Sequence, residues 1–155
     1  MDNMVIRPAV HNDLDKLEEF EQGVIKAERP FDRTLNPDPV HYYNLEKLIT
    51  NDNTYLLVAE LNGQLIASGY ARIEQAKAYV NYRFYSYLGF MYVAPEFRGK
   101  GINQKIVDAL AHWSKEQGIT MMHLDVFSEN SAAIKAYNKA GFKANLVEMR
   151  LDISN

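Results

Sequence analysis

A glycine-rich turn between an apolar segment and a long amphipathic segment constrains the fold of this chain most strongly. The turn reads Phe97-Arg98-Gly99-Lys100-Gly101-Ile102-Asn103. A glycine-rich turn that opens a helix presents backbone N–H groups to an anion, and glycine lets the main chain adopt a positive φ. Because Arg98 and Lys100 add positive charge at the same point, the turn is predicted to bind a phosphate or pyrophosphate.

The segments on either side of this turn predict a strand and a helix. Residues 87–93 are rich in aromatic and branched side chains, which is typical of a buried strand, and Pro95 ends it. After the turn, apolar residues recur with a helical period, and Gly118 stands at the expected C-terminal cap. The apolar stripe consists of Ile102, Ile106, Leu110 and Trp113.

Two well-known phosphate-binding turns do not match this segment. A Walker A loop requires a Ser or Thr after its lysine to reach magnesium, whereas Gly101 and Ile102 follow Lys100. The dinucleotide-binding turn requires three glycines, and residues 99–104 supply two. A plain tight turn, whose glycines serve only its geometry, is the alternative interpretation.

A second segment, residues 125–142, resolves this question. It places Asn130, Ala133, Tyr137, Gly141 and Phe142 in the pattern Asn-x-x-Ala-x-x-x-Tyr-x-x-x-Gly-Phe. Together with Arg98-x-x-Gly101-x-Asn103, it resembles the GNAT superfamily of acetyl-CoA-dependent N-acetyltransferases. Asn103 departs from that pattern, because Gly or Ala is usual at this position. The resemblance covers residues 54–151 well and the first fifty residues only in outline.

The predicted order of elements indicates an α/β (α+β) fold, with antiparallel strands followed by strand–helix–strand–helix–strand. The resemblance implies one GNAT-like domain over residues 1–155. It also implies a mixed, twisted central sheet of six to seven strands, with helices on both faces, that splays between its fourth and fifth strands. The predicted strands are 4–8, 54–61, 64–74 and 87–93, with two short terminal strands within 143–153; the predicted helices are 12–21, 41–49, 102–117 and 131–140.

Composition excludes several classes of function. The chain has 155 residues, a net charge of −3 and no cysteine, which argues against a nucleic-acid-binding face, a disulfide framework and a cysteine-acyl intermediate. No apolar run approaches the roughly 18 residues of a membrane span, and the N-terminus is polar by residue 2, so a cytoplasmic protein is expected. The four histidines lack metal-ligand spacing, so no metal is expected.

The resemblance also implies roles for individual residues. Acetyl-CoA would be the co-substrate, and the thioester carbonyl would meet the backbone near residues 90–92. Tyr137 would be the general acid that protonates the departing thiolate, although a core tyrosine is the structural alternative. Asn130 would contact the pantetheine arm, and it also suits a helix N-cap. The implied CoA-binding residues are Met91, Tyr92, Val93, Arg98, Gly99, Lys100, Gly101, Ile102, Asn103 and Asn130.

The general base for the acceptor amine is a carboxylate whose position varies among GNAT proteins. Glu28 ranks first and Asp32 is a substrate-binding candidate, because both lie in a proline-containing loop that would border the acceptor site; Glu74 and Asp125 are the alternatives. We therefore predict acetyl transfer from acetyl-CoA to a primary amine, either a small molecule or a peptide. A non-catalytic acyl-CoA-binding sensor is the alternative. No nucleic-acid or membrane partner is expected, and a homodimer is compatible with the sequence.

Overall fold

The computed structural model describes residues 3–155 and divides the chain after Asp125 into two compact units. The first unit contains the sheet and three α-helices. The second unit, Val126–Asn155, contains one further helix. No helix among the described residues is long and apolar enough to cross a membrane.

The sheet has five strands that lie side by side in chain order. The strands are β1 (Met4–Pro8), β2 (Thr54–Leu61), β3 (Gln64–Gln75), β4 (Phe84–Val93) and β5 (Met122–His123). The first four strands pair antiparallel and β5 pairs parallel with β4, so the sheet is mixed, as predicted. The β2–β3 hairpin turns at Asn62 and Gly63, whose φ values of 51° and 82° fit this turn sequence.

Helices cover both faces of the sheet, which confirms the predicted class. Helices α1 (Leu14–Glu28) and α2 (Leu45–Thr50) pack on one face, and α3 (Ile102–Glu116) packs on the other. On the α3 face, the rings of Tyr55 and Trp113 stack with centroids 5.2 Å apart. The core on the α1 face is built from Leu17, Phe20, Val24, Leu45, Leu48, Leu56, Val58, Tyr70 and Phe90.

Strands β4 and β5 pair over only a small part of β4. Their register joins Ser86 to Met122 and Tyr87 to His123. Beyond Tyr87, no other strand described within residues 3–125 pairs with β4 on the side away from β3. The predicted opening between the fourth and fifth strands stays a prediction.

Helix α1 is longer than the prediction, which ended it near Glu21. It continues to Glu28 because Val24 and Ile25 remain buried against the sheet. Gly23 does not interrupt the helix. A Cβ atom at this position would lie 2.7 Å from the Tyr92 ring, so the glycine allows that ring to pack directly on the helix backbone.

Helix α2 begins at Leu45, and the prediction that it starts at His41 is wrong. Asn44 caps it by accepting a hydrogen bond from the Lys47 backbone N–H at 3.1 Å. Immediately before it, the backbone N–H groups of Tyr42 and Tyr43 donate to the buried Glu21 carboxylate at 2.9 and 2.8 Å. A buried acceptor on α1 therefore fixes this stretch in a non-helical conformation.

The prediction of six to seven strands is wrong, because the described structure has five. The two short strands predicted within residues 143–153 are not among them. A strand requires a hydrogen-bonded neighbour, and this stretch contains no glycine or proline with which it could fold back on itself as a hairpin. The second unit holds α4 (Ser131–Lys139), followed by Gly141 at φ 105°. A single domain over residues 1–155 stays a prediction.

Candidate functional site

The predicted anion-binding turn has the backbone conformation that such a site requires. Gly99 and Gly101 have φ values of 76° and 78°, and a Cβ atom at either position would meet nothing within 4 Å. Gly101 is the N-cap of α3, and its carbonyl accepts the first helical hydrogen bond, from Lys105. The N–H groups of residues 102–104 therefore precede the first intrahelical hydrogen bond. A helix terminus of this kind can bind an anion, and the one described here includes the N–H groups of Ile102 and Asn103.

Two cations flank this helix terminus. Arg98 donates from Nε to the Val93 carbonyl at 2.8 Å, and its guanidinium carbon lies 5.7 Å from the Tyr92 ring centroid. Lys100 places its Nζ 5.6 Å from the Phe97 ring centroid. Cations are unfavourable at the positive end of a helix dipole. Their presence here fits a site whose ligand carries negative charge, as a pyrophosphate does.

Strand β4, which leads into this turn, contains a bulge. Tyr70 pairs with Gly89 and Ser68 pairs with Tyr92, so two β4 residues, Phe90 and Met91, face the single intervening residue of β3. Phe90 has a φ of 55° and is 2% exposed. A bulky residue in this left-handed region costs on the order of 1–3 kcal/mol, so the conformation persists only where its surroundings enforce it.

Several contacts enforce the bulge. The Ser68 hydroxyl donates to the Phe90 carbonyl at 2.9 Å, and the Tyr43 hydroxyl hydrogen-bonds the Phe90 backbone. Between the two β3 partners, Gly69 has no side chain. A Cβ atom there would lie 2.6 Å from the Met91 Sδ atom and 2.8 Å from Ile106. The bulge is therefore a specified feature of the strand, and it occurs where the backbone was predicted to meet the thioester.

Glu28 lies at the C-terminal end of α1, half-buried and hydrogen-bonded to Tyr42. Burial raises the pKa of the Glu28 carboxyl, and the hydrogen bond from Tyr42 lowers it in part. Burial and the Glu28 charge raise the pKa of Tyr42 to about 12. The Tyr42 phenol therefore stays protonated at neutral pH and donates to the carboxylate.

Four tyrosines form a continuous series of ring contacts from Glu28 to β4, which we call the tyrosine row: Tyr42, Tyr43, Tyr70 and Tyr87. Successive ring centroids in the row are 5.7, 6.2 and 6.5 Å apart. The guanidinium of Arg72 lies 5.5 Å from the ring centroids of both Tyr70 and Tyr87. Burial raises the pKa of Tyr43, Tyr70 and Tyr87. At neutral pH the four phenol groups of the row are therefore uncharged, and each ring carries a polar hydroxyl group.

The other candidate carboxylates have partners of their own. Glu74 forms an ion pair with Arg72, and Asp125 accepts a hydrogen bond from the Tyr87 hydroxyl at 2.9 Å. Asp32 accepts from the Thr34 backbone N–H at 2.9 Å, and its charge contributes to the raised pKa of Tyr42. Asp32 thus lies near the Glu28 end of the tyrosine row.

The second unit contains the remaining two candidates, Asn130 and Tyr137. The Asn130 side chain accepts from the Ala133 backbone N–H at 3.2 Å, which confirms its N-cap role at α4. The Tyr137 ring meets the Phe142 ring edge-on, with centroids 5.7 Å apart. The Phe142 backbone N–H also donates to the Tyr137 carbonyl at 3.0 Å. Phe142, the last residue of the second motif, therefore packs against Tyr137 and satisfies one of the free carbonyl groups at the C-terminus of α4.

The sequence analysis missed the residues that support the bulge from outside the motifs. Tyr43 was predicted to lie in a helix, and no role was predicted for Ser68, which lies in an apolar strand. Gly69 and Gly89 did carry a signal, because glycine inside a strand often marks a bulge or a close approach of another group. Among the described residues, no cluster of three or more His, Cys, Asp or Glu side chains could hold a metal.

Comparison with known proteins places this geometry in context. The family model described as "Acetyltransferase (GNAT) family" matches residues 18–142. An uncharacterized N-acetyltransferase of Methanocaldococcus jannaschii is 27% identical over 138 residues, which cover 83% of this chain and 57% of that protein. The chain thus spans little more than half the length of that relative.

Two further proteins, one a relative in sequence and the other a solved structure, are also similar to this chain. Aminoglycoside N(6')-acetyltransferase type 1 of Salmonella typhimurium is 27% identical over 111 residues, which cover 70% of this chain and 75% of that protein. A predicted acetyltransferase of Clostridium acetobutylicum, solved with acetyl-CoA, superposes with a TM-score of 0.76 at 22% identity and covers 97% of this chain and 96% of that one. The family model covers most of the chain, and the fold agrees with it: this chain belongs to the GNAT acetyltransferase family.

Proposed function

We propose that this protein is an N-acetyltransferase that transfers the acetyl group of acetyl-CoA to a primary amine. The observation that carries the proposal is the continuity of β4 with the turn before α3. A bulged strand with no described partner beyond Tyr87 on one side leads, through the turn at residues 94–101, to the N-terminus of α3 with its free backbone N–H groups. A long ligand with a pyrophosphate at one end and a reactive thioester at the other fits this path.

The CoA-binding residues of this proposal follow the same path. Gly99, Gly101 and the first N–H groups of α3 would hold the pyrophosphate, with Arg98 and Lys100 supplying positive charge. The backbone of Met91, Tyr92 and Val93 would hydrogen-bond the pantetheine amides as a neighbouring strand would, and Asn130 would contact the pantetheine arm. In support, the Clostridium acetobutylicum structure that shares the fold contains acetyl-CoA.

The chemistry needs a base, an oxyanion site and an acid. Glu28 would take the proton of the ammonium, directly or through water. Its raised pKa lies closer to neutral pH than that of an ordinary carboxyl group, which favours its action as a general base. As the amine nitrogen bonds to the acetyl carbon, backbone N–H groups of residues 90–92 would bind the carbonyl oxygen. The carbon–sulfur bond then breaks, and Tyr137 would donate its proton to the leaving sulfur. The attacking nitrogen would lose its second proton through water to the Tyr137 phenolate, which leaves a neutral amide and restores the acid.

The acceptor would be a small molecule or peptide with a cationic amine. Glu28 and Asp32 lie at one end of the tyrosine row, and aromatic faces together with carboxylates attract ammonium groups. The Salmonella typhimurium relative is named for an aminoglycoside, which is a small molecule with several amino groups. We propose this chemical class, with Asp32 as a substrate-binding residue.

A thiol-release assay with acetyl-CoA across a panel of amines tests the proposal. The panel should contain aminoglycosides, polyamines, amino acids and short peptides. We expect CoA release that depends on the amine and is strongly reduced in Glu28→Gln and Tyr137→Phe. If acetyl-CoA binds tightly but no amine gives turnover, a non-catalytic acyl-CoA sensor would replace the enzyme.

A further inference from the structure

We infer that Ser68 and Tyr43 are positioning residues for acetyl transfer, because their hydroxyl groups hold the backbone of Phe90 and so direct the Met91 N–H toward the thioester oxygen. This inference rests on the proposed function, since it concerns the backbone that would meet the thioester. Both residues lie outside the two motifs, and neither would touch the reacting atoms.

Ser68 fixes the carbonyl side of Phe90. Ser68 is 0% exposed on β3, and its Oγ donates to the Phe90 carbonyl at 2.9 Å. In the strand register Ser68 pairs with Tyr92, so this hydrogen bond crosses the bulge diagonally. A bulge displaces backbone groups from the ladder, and a buried carbonyl needs another donor. The serine side chain supplies that donor.

Tyr43 fixes the other side of the same residue. Its hydroxyl hydrogen-bonds the Phe90 backbone, and its ring centroid lies 4.7 Å from that of Phe90. Tyr43 is itself anchored, because its backbone N–H donates to the buried Glu21 carboxylate at 2.8 Å. The left-handed residue is thus held from two directions, by one strand and by the segment before α2.

The consequence concerns the next peptide group. In a trans peptide, the carbonyl of one residue and the N–H of the next point in opposite directions. When Ser68 holds the Phe90 carbonyl, the Met91 N–H therefore points away from Ser68. On the side of β4 opposite β3, no described strand of residues 3–125 pairs beyond Tyr87. This N–H is a preorganised donor for an oxygen that gains charge during the reaction.

The chain offers matched controls on the opposite face of the sheet. Ser86 is also 0% exposed, and its hydroxyl hydrogen-bonds the Ser114 hydroxyl of α3 at 2.6 Å. Ser86→Ala therefore removes a buried serine hydrogen bond from the same sheet without touching Phe90. Tyr55, which stacks on Trp113, is the corresponding control for Tyr43.

The experiment compares Ser68→Ala and Tyr43→Phe with Ser86→Ala and Tyr55→Phe. It measures kcat, the KM for acetyl-CoA, Tm, and the Met91 amide resonance in the acetyl-CoA and CoA complexes. We expect the first pair to lower kcat about 10- to 100-fold, because the oxyanion donor is misdirected rather than deleted. The KM should stay within about threefold. Ser86→Ala should lower Tm about as much as Ser68→Ala does, and both control variants should leave kcat within about twofold.

The Met91 resonance separates positioning from simple stability. In wild type and controls, its amide proton should move downfield in the acetyl-CoA complex relative to the CoA complex, and Ser68→Ala should lose this shift. An unchanged shift with wild-type kcat in Ser68→Ala would overturn the inference and leave the proposed function intact. If no amine is acetylated, the proposed function fails, and the Met91 resonance alone decides the positioning role. Failure of wild type to bind acetyl-CoA would overturn both.

A further variant guards against misfolding of Ser68→Ala. Ser68→Cys keeps a similar volume and a weaker donor, so it should give a kcat and a Met91 shift between those of wild type and Ser68→Ala. Values for Ser68→Cys equal to those of the Ser86→Ala control would contradict the inference.

Discussion

The Tyr42 hydroxyl hydrogen-bonds the half-buried Glu28 carboxylate, and each group shifts the pKa of the other. Burial raises the pKa of Glu28 above its ordinary value of 4.5, and the Tyr42 hydrogen bond opposes this shift. Tyr42 lies in the segment that Glu21 holds in place before α2. The protonation of the candidate base therefore depends on a side chain from another element of the fold.

Glu28→Gln should remove the acidic limb of the pH–rate profile. A base must be ionised to act, so wild-type kcat/KM should fall as the pH drops through the raised pKa of Glu28. The variant should lose about 10²- to 10⁴-fold in kcat and show no such limb. Steady-state kinetics from pH 4.5 to 9 measure this effect, with the exposed Glu18→Gln on the same helix as the control. A retained acidic limb would assign the base to another residue, such as Glu74 or Asp125.

The ionisation of Glu28 should affect activity and stability in opposite directions. The ionised carboxylate is needed for activity, whereas the protonated carboxyl favours the native state. Because its pKa in the native state is raised, protonated Glu28 stabilises the native state. This contribution is complete below pH 4.5 and is lost as the pH rises through the raised pKa. Urea unfolding should therefore show wild type losing stability relative to Glu28→Gln across that window. A stability difference that does not change with pH would contradict the burial of the carboxyl.

Tyr42→Phe should move the acidic limb toward higher pH. The hydroxyl stabilises the ionised carboxylate, so its removal raises the pKa of Glu28 further. We expect a higher midpoint on the acidic side with an unchanged alkaline limb, measured as kcat/KM against pH. The exposed Tyr79→Phe is the control. A shift to lower pH, or none, would show that the hydrogen bond does not act on the base.

Gly101→Asp should abolish acetyl-CoA binding by placing a negative charge at the start of α3. Gly63→Asp is a matched control, because Gly63 has a similar φ of 82°, against 78° at Gly101, and equally open surroundings in the β2–β3 turn. Calorimetry and the ligand-induced rise in Tm measure the effect. Gly63→Asp should bind normally. Equal affinity in both variants would remove the turn from the binding site.

Tyr137→Phe should lower turnover while leaving CoA binding nearly unchanged. The substitution keeps the ring that packs against Phe142 and removes only the hydroxyl. Loss of a general acid reduces kcat by about 10²- to 10⁴-fold. The measurement is kcat with a substrate for which chemistry limits the rate, together with the Kd for CoA. Wild-type turnover would reduce Tyr137 to a packing residue.

Gly89→Ala should destabilise the sheet beside the bulge. A Cβ atom at Gly89 would lie 2.4 Å from the Tyr70 ring of the neighbouring strand. Overpacking of this kind costs about 1–3 kcal/mol, which urea unfolding can measure. In a protein that already carries Tyr70→Ala, Gly89→Ala should lower the free energy of unfolding much less, because the ring that the new Cβ atom would meet is gone. Additive costs in the double variant would show that Tyr70 is not the obstacle.

The sequence by itself determined the elements whose signals are local. The turn at residues 97–103 and the Asn130 cap each depend on backbone conformations that neighbouring residues select, and the structure contains both. The two spaced motifs also indicated the family, because they keep a turn and a helix in fixed positions along the chain.

Only the tertiary structure decided how distant residues act together. Residues 41–49 have apolar spacing that suits a helix, but the buried Glu21 carboxylate accepts hydrogen bonds from the N–H groups of Tyr42 and Tyr43 and keeps this stretch out of the helix. The left-handed Phe90 is likewise held by Ser68, 22 residues away in sequence. Such contacts follow from how the helices and strands pack, and the local pattern of side chains does not record them. For this reason the motifs revealed the binding turn, while the groups that tune the base and direct the backbone emerged only from the fold.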